Sequence, residues 1–367
     1  FFQHLPTQKM SRRLLPFIWL WLPSLALAKD LAMVGLGTAG IKEVSTIVAA
    51  IQMGYRTLDT ALIYGNHDMV REAIEESGIH RDELFLTSKV GFFPSSMDLP
   101  QEHQAAFGVA TLPMPADLPF HPLNVKGKEA IELSLKELGV DYLDLCLIHV
   151  PATSALELSA SFFTHLYHYW PKMPMWTETS VVGALKALAM QEVKTRQSQA
   201  KQERKRSWQN METAKRRGLC RHIGVSNYPV EFMKEIDEYK TEPIYNEQQE
   251  LHPLAQFRDV QDYARKAKVT LTGYGTGVVA SVPLAKDIAR KINRTPGQVL
   301  LRWAVQKGIH VNPKSNQVSR LKENLEVLDF ALDDEDMSAL DGLDVPKIFY
   351  WNTSVLVPQG FAAKEEL

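Results

Sequence analysis

Asp59, Tyr64, Lys89 and His149 each fall at or just past the end of an apolar run that reads as a β-strand, and together they can deliver a proton to a carbonyl. A free phenol, with a pKa of about 10, is a poor acid at neutral pH. A neighbouring ammonium stabilises the phenolate and draws that value toward the working pH. In this arrangement Lys89 supplies the charge, Asp59 holds Lys89 in place and protonated, and His149 directs the carbonyl oxygen. The chemistry expected is reduction of a carbonyl, with Tyr64 as proton donor and hydride from a cofactor. Taken singly, each residue has a structural explanation: Asp59 as a turn cap, Tyr64 as a loop aromatic, Lys89 as a surface lysine, His149 as a satisfied core histidine. Four such residues at successive strand ends converge in space, and that convergence favours the chemical reading.

The elements that must position them alternate short apolar runs with helical stretches. Strands are expected at 31–34, 56–60, 84–90, 142–149, 221–226, 244–251, 269–274 and 309–312, with helices between them such as 41–53, 125–138 and 295–306. Eight βα units with chemistry after the strands predict an α/β fold, a (β/α)8 barrel whose site lies at the carboxyl ends of its strands. A competing pattern is Gly35, Gly37 and Gly40 in GxGxxG spacing, with Asp59 about 20 residues on, as a dinucleotide-binding Rossmann unit requires. That alternative, a Rossmann-type dehydrogenase, leaves Tyr64, Lys89 and His149 without a joint role. The glycines are read instead as a tight strand-to-helix turn.

The chain has 367 residues, 45% of them apolar, enough for one large core. A net charge of -2 from 41 basic and 43 acidic residues gives no general attraction to nucleic acid or anionic membrane. A basic stretch with Lys194, Arg196, Lys201, Arg204, Lys205 and Arg206 is read as a solvated helix face, and the eleven histidines, His165 and His168 among them, form no metal-ligating pattern. Cys146 and Cys220 lie in apolar strand-like runs and are expected as buried free thiols that say little about redox compartment.

Residues 1–28 are expected as a leader: Arg12 and Arg13, an apolar run broken by Pro16 and Pro23, then the small-residue pattern ending at Ala28, too short for a stable membrane span. The barrel is expected over 29–345, with enlarged loops after strands 3 and 4 as insertions at about 92–122 and 152–206, and a tail over 346–367. The last four residues, Lys364 to Leu367, are similar to a KDEL-type address, so leader and tail together predict the secretory pathway and the endoplasmic reticulum lumen, with the cytoplasm as the alternative.

Over residues 34 to 332 the chain resembles the aldo-keto reductase family. GYRTLDTALIYGN, with Asp59 and Tyr64, is similar to the family's first signature, and TSK ending at Lys89 and LIH ending at His149 resemble the segments carrying its other two catalytic positions. The resemblance implies that Ser226 and Asn227 in IGVSN, with Gln248, hold a nicotinamide carboxamide, that Tyr274 stacks on the nicotinamide ring, and that Gly275, Gly277 and Ser281 lie near the pyrophosphate. NPKSNQVSRLKEN is similar to the family's adenosine 2′-phosphate motif. Lys314, Ser315 and Arg320 would hold that phosphate, and Glu323 and Asn324 the adenine, which favours NADPH over NADH. Where the family places pocket tryptophans, this chain has Ala39, Gly91 and Val150, so a wider substrate pocket is expected. The implied activity is NADPH-dependent reduction of aldehydes or ketones to alcohols. The other function left open is an NADPH-binding sensor or regulatory barrel with little turnover.

Overall fold

The computed structural model describes residues 31–90, 128–151, 198 and 200–343. The expected leader, the tail, Gly91 and nearly all of the two expected insertions lie outside the described residues.

Eight parallel strands follow one another in chain order: β1 (Leu36–Gly37), β2 (Thr57–Asp59), β3 (Phe85–Val90), β4 (Leu143–Ile148), β5 (Cys220–Ser226), β6 (Asn246–Glu250), β7 (Thr270–Tyr274) and β8 (His310–Val311). The first and last strands meet. Val34 bridges Val311 in parallel, the Gly35 N–H donates to Val311 O at 2.8 Å, and the Val311 N–H donates to Met33 O at 2.9 Å. The sheet therefore closes into a (β/α)8 barrel, and its order 1 to 8 excludes the Rossmann alternative.

Helices cover the outside: α1 (Val44–Gln52), α2 (His67–Ser77), α3 (Lys128–Leu138), α4 (200–216), α5 (Val230–Asp237), α6 (Arg258–Ala267), α7 (Pro283–Ile292), α8 (Pro296–Gln306), α9 (Val318–Leu325) and α10 (Asp334–Asp341). Local sequence accounts for the sharpest of these starts. Thr295 accepts from the Gln298 N–H while the Gln298 side chain returns to the Thr295 N–H, and Pro296 opens α8 with its φ already set. Leu31, Phe85, Leu145 and Leu147 pack together inside the barrel with Tyr245 against them, while the larger core lies between strands and helices.

Three expectations change. The first strand is Leu36–Gly37, not 31–34: Leu31 fills the barrel interior, and Val34 makes only the closing bridge. The GxGxxG glycines do form the expected strand-to-helix turn and also serve close packing. A Cβ on Gly35 would lie 2.4 Å from Asn312 Oδ1, one on Gly37 would lie 2.8 Å from Asn312 O, and Gly40 turns the chain at φ +69°. Cys146 and Cys220 are not free thiols but a disulfide. The two cysteines lie on the adjacent strands β4 and β5, with Cα atoms 5.8 Å apart, inside bridging range. Finally, α4 begins within the expected second insertion, and Arg204 is buried rather than solvated: its Nη2 donates to Glu235 Oε2 at 2.9 Å and its guanidinium lies over Phe232. Lys201, Lys205 and Arg206 do face solvent.

Among the described residues no helix is long and apolar enough to cross a membrane, and no group of His, Cys, Asp and Glu could hold a metal ion.

Candidate active site

Asp59 ends β2, Lys89 lies on β3, and His149 follows β4, so the barrel turns three of the four expected residues toward one another. Tyr64 comes from the one-turn 3₁₀ segment Leu62–Tyr64, which Gly65 ends in a left-handed conformation. The Lys89 ammonium donates to Asp59 Oδ1, to Thr60 O at 3.2 Å and to Tyr64 Oη at 3.4 Å. Tyr64 and His149 meet edge to face with ring centroids 5.8 Å apart. All four residues expected to act together are thus brought together.

Their electrostatics follow from burial and from each other. Burial works to lower Lys89, but the Asp59 carboxylate, with Tyr64 beside it, more than offsets this and holds the ammonium above the ordinary lysine range. Burial raises the Tyr64 phenol and Lys89 lowers it; burial wins, so Tyr64 stays a protonated donor and Lys89 offsets only part of the cost of its phenolate. Burial, with Lys89 adding to it, lowers His149 to about 3, which leaves a neutral imidazole. A protonated phenol and a neutral imidazole set edge to face can both present a hydrogen to one carbonyl oxygen.

The residues implied for the nicotinamide form a second, linked cluster. Ser226 Oγ donates to Gln248 O at 2.7 Å. Asn227, at φ 61°, donates through Nδ2 to His149 O at 3.0 Å and to Ser226 Oγ at 3.1 Å, and accepts from the Tyr274 hydroxyl at 2.7 Å. Glu247, missed in the sequence, sets this turn by accepting from the Tyr228 N–H at 3.1 Å, and burial pushes its carboxyl well above the usual range. Gln248 occupies a different place from its neighbours: its Nε2 donates to Asp59 Oδ2 at 2.7 Å.

Gly275, at φ +67°, turns the chain after β7, with Gly277 and Ser281 exposed beyond it. After β8, Lys314 and Arg320 are exposed and make no ion pair among the described residues. A Cβ on Gly40 would lie 3.2 Å from Lys314 Nζ, so that charge sits over the loop after β1. Ser315 spends its hydroxyl locally, on Gln317 O and the Gln317 N–H. The Glu323 carbonyl accepts from Gln298, and the Asn324 side chain bonds Tyr55. Of the expected pocket residues, Ala39 is half-buried in the loop after β1 and Val150 is buried after β4.

Sequence reasoning also missed Thr38, Thr60 and Asn66, all buried beside the site. Asn66 stands in the signature segment, two residues after Tyr64, and its place there was the available signal.

Comparison with known proteins bears on the same residues. The sequence profile of the Aldo/keto reductase family matches residues 35–286 and 277–345. The chain is 30% identical to "Methylglyoxal reductase DkgB" of Yersinia pestis, over 90% of this chain and 97% of that protein. It is 31% identical to an "Aldo-keto reductase" of Mycobacterium avium, over 88% and 90%. The crystal structure of an aldo/keto reductase from Brucella melitensis superimposes with a TM-score of 0.60 at 28% identity, covering 86% of this chain and 95% of that one. Profile, relatives and barrel agree, and the chain belongs to the aldo-keto reductase family.

Proposed function

We propose that this chain reduces aldehyde or ketone carbonyls to alcohols with NADPH, Tyr64 giving the proton. The observation that carries the reading is the placement of the Tyr64 hydroxyl 3.4 Å from Lys89 Nζ, with the ammonium held on Asp59 and the neutral His149 ring at the phenol's edge. When bound, NADPH supplies the hydride to the carbonyl carbon. His149 and Tyr64 direct their hydrogens at the carbonyl oxygen, Tyr64 passes its proton to the developing alkoxide, and Lys89 stabilises the phenolate left behind until solvent reprotonates it. Asp59 keeps Lys89 charged throughout.

Lys314 and Arg320 support the choice of NADPH, since two permanent charges free of carboxylate partners among the described residues suit a 2′-phosphate. Ser226, Asn227 and Tyr274 are the group for the nicotinamide. The Yersinia pestis relative's name makes methylglyoxal the first substrate to assay. We also propose that the chain folds in an oxidising compartment of the secretory route, on the support of the buried Cys146–Cys220 disulfide. The test of function is consumption of NADPH and of NADH on addition of methylglyoxal and of simple aldehydes and ketones. The reading expects consumption with NADPH favoured, and NADPH binding without consumption would overturn it in favour of a sensor.

A further inference from the structure

Tyr64 does not sit on a strand, so something must fix it relative to Lys89. Its carrier is a single 3₁₀ turn, too short to hold a position by its own hydrogen bonds. The residue two positions on, Asn66, is 8% exposed, and its amide reaches in two directions. Nδ2 donates to Thr38 O at 2.9 Å, in the loop after β1, and Oδ1 accepts from Thr60 Oγ1 at 3.1 Å, at the end of β2. Both partners are tied to the acidic and basic members of the site. Thr38 donates through N–H and Oγ1 to Asp59 O at 2.9 and 3.1 Å, and Thr60 O accepts from Lys89 Nζ at 3.2 Å. The following residue anchors the same segment on its other side: His67 Nε2 lies 3.1 Å from Ser88 Oγ, next to Lys89, and His67 Nδ1 lies 2.9 Å from Glu137 Oε2.

We infer that Asn66 is a positioning residue for Tyr64, its side-chain amide clamping the Tyr64 turn to the loops after β1 and β2 and so setting the distance from phenol to ammonium. The role rests on the reductase reading for its kinetic consequence but not for its geometry. Without the amide, the Tyr64 turn keeps the His67 anchor, its own weak turn bonds, the buried Leu62 and the long Lys89–Tyr64 bond, but loses its tie to the loops after β1 and β2. The phenol then departs from Lys89, the group that lowers its pKa, while burial, Asp59 and the nearby His149 ring remain. Misplacement of a reacting group by about 1 Å costs on the order of 10²-fold in rate.

The test uses the full chain with Asn66→Ala and, as a milder change of nearly equal shape, Thr60→Val, which removes only the bond to Asn66 Oδ1. Two readouts are taken: kcat and KM for NADPH with methylglyoxal, and the Tyr64 signal in protein labelled with ¹³Cζ-tyrosine, assigned by Tyr64→Phe and titrated with pH. The expected result is a fall in kcat of about 10²-fold for Asn66→Ala, smaller for Thr60→Val, at little changed KM for NADPH. The Tyr64 titration should move to higher pH in both variants. Should Asn66→Ala fail to fold, Thr60→Val decides by the same two readouts. An unmoved Tyr64 titration with kcat within about twofold of the parent would overturn the role. Absence of turnover in the unmodified chain would count against the reductase reading alone, because the Tyr64 signal still reports whether Asn66 positions it.

Discussion

Gln248 on β6 donates to Asp59 Oδ2 at 2.7 Å, so the carboxylate that holds Lys89 is itself held from the opposite side of the barrel. Both oxygens of Asp59 are engaged, one by the ammonium and one by the amide, and the residue is 3% exposed. A residue implied by family resemblance as a cofactor contact is thereby also a support for the Asp59–Lys89 pair.

Replacing Gln248 with Leu should leave Asp59 Oδ2 buried and unpaired, at a cost of about 1–3 kcal/mol in folding stability. Because Lys89 loses its fixed partner geometry, kcat should fall by more than the affinity for NADPH. Denaturant unfolding and steady-state kinetics check this; a large loss of NADPH binding at unchanged stability would put the amide on the cofactor instead.

His149 gives a pH signature with a definite sign. Folded, it binds a proton only near pH 3, whereas in the unfolded chain it does so near pH 6.5. Between those values the unfolded state binds more protons, so stability rises with pH and is lost as pH falls from about 6.5 toward 3, by up to about 1.4 kcal/mol per unit. His149→Gln should flatten this dependence between pH 7 and 4.5, measured by denaturant midpoints. Equal slopes in parent and variant would contradict the neutral buried imidazole.

The Cys146–Cys220 bridge joins residues 74 apart in sequence and ties the strands whose ends carry His149 and Ser226. No thiol should react with a thiol reagent in the unfolded, unreduced chain, and two should after reduction. The double Cys→Ser variant should lose about 4 kcal/mol on the chain-entropy account. Two reactive thiols before reduction would remove both the bridge and the argument for an oxidising compartment.

Lys314→Met should weaken NADPH by roughly 10- to 100-fold, the worth of one charge-assisted contact, and leave NADH nearly unchanged. Fluorescence titration with both cofactors reads this directly. Equal losses would show that Lys314 serves something common to the two.

Much of the barrel and the core of the site could be read from the residues, for a physical reason. Asp59, Lys89 and His149 stand at the ends of apolar runs, and strand ends in a parallel barrel converge, so their order along the chain already carries their meeting in space. What escaped depends on strand register or on side chains leaving regular structure. The Gln248–Asp59 bond spans a sequence separation of 189, and the disulfide joins neighbouring strands across a separation of 74. Hydrophobicity misplaced β1 because Leu36–Gly37 lies in a glycine-rich stretch with little apolar signal, while in the apolar run before it Leu31 fills the interior and Val34 makes the closing bridge. Arg204 shows the same limit in reverse: composition reads six basic residues as one solvated face, but Glu235 and Phe232 on α5 draw one of them inside.

Tyr64→Phe is the most direct test of the account. The ring and its packing against His149 remain, and only the hydroxyl 3.4 Å from Lys89 Nζ is removed. Steady-state NADPH oxidation with methylglyoxal should fall by about 10²–10⁴-fold while NADPH binding, followed by fluorescence in the same samples, stays close to that of the parent. Turnover within a few-fold of the parent would contradict the assignment of Tyr64 as the proton donor.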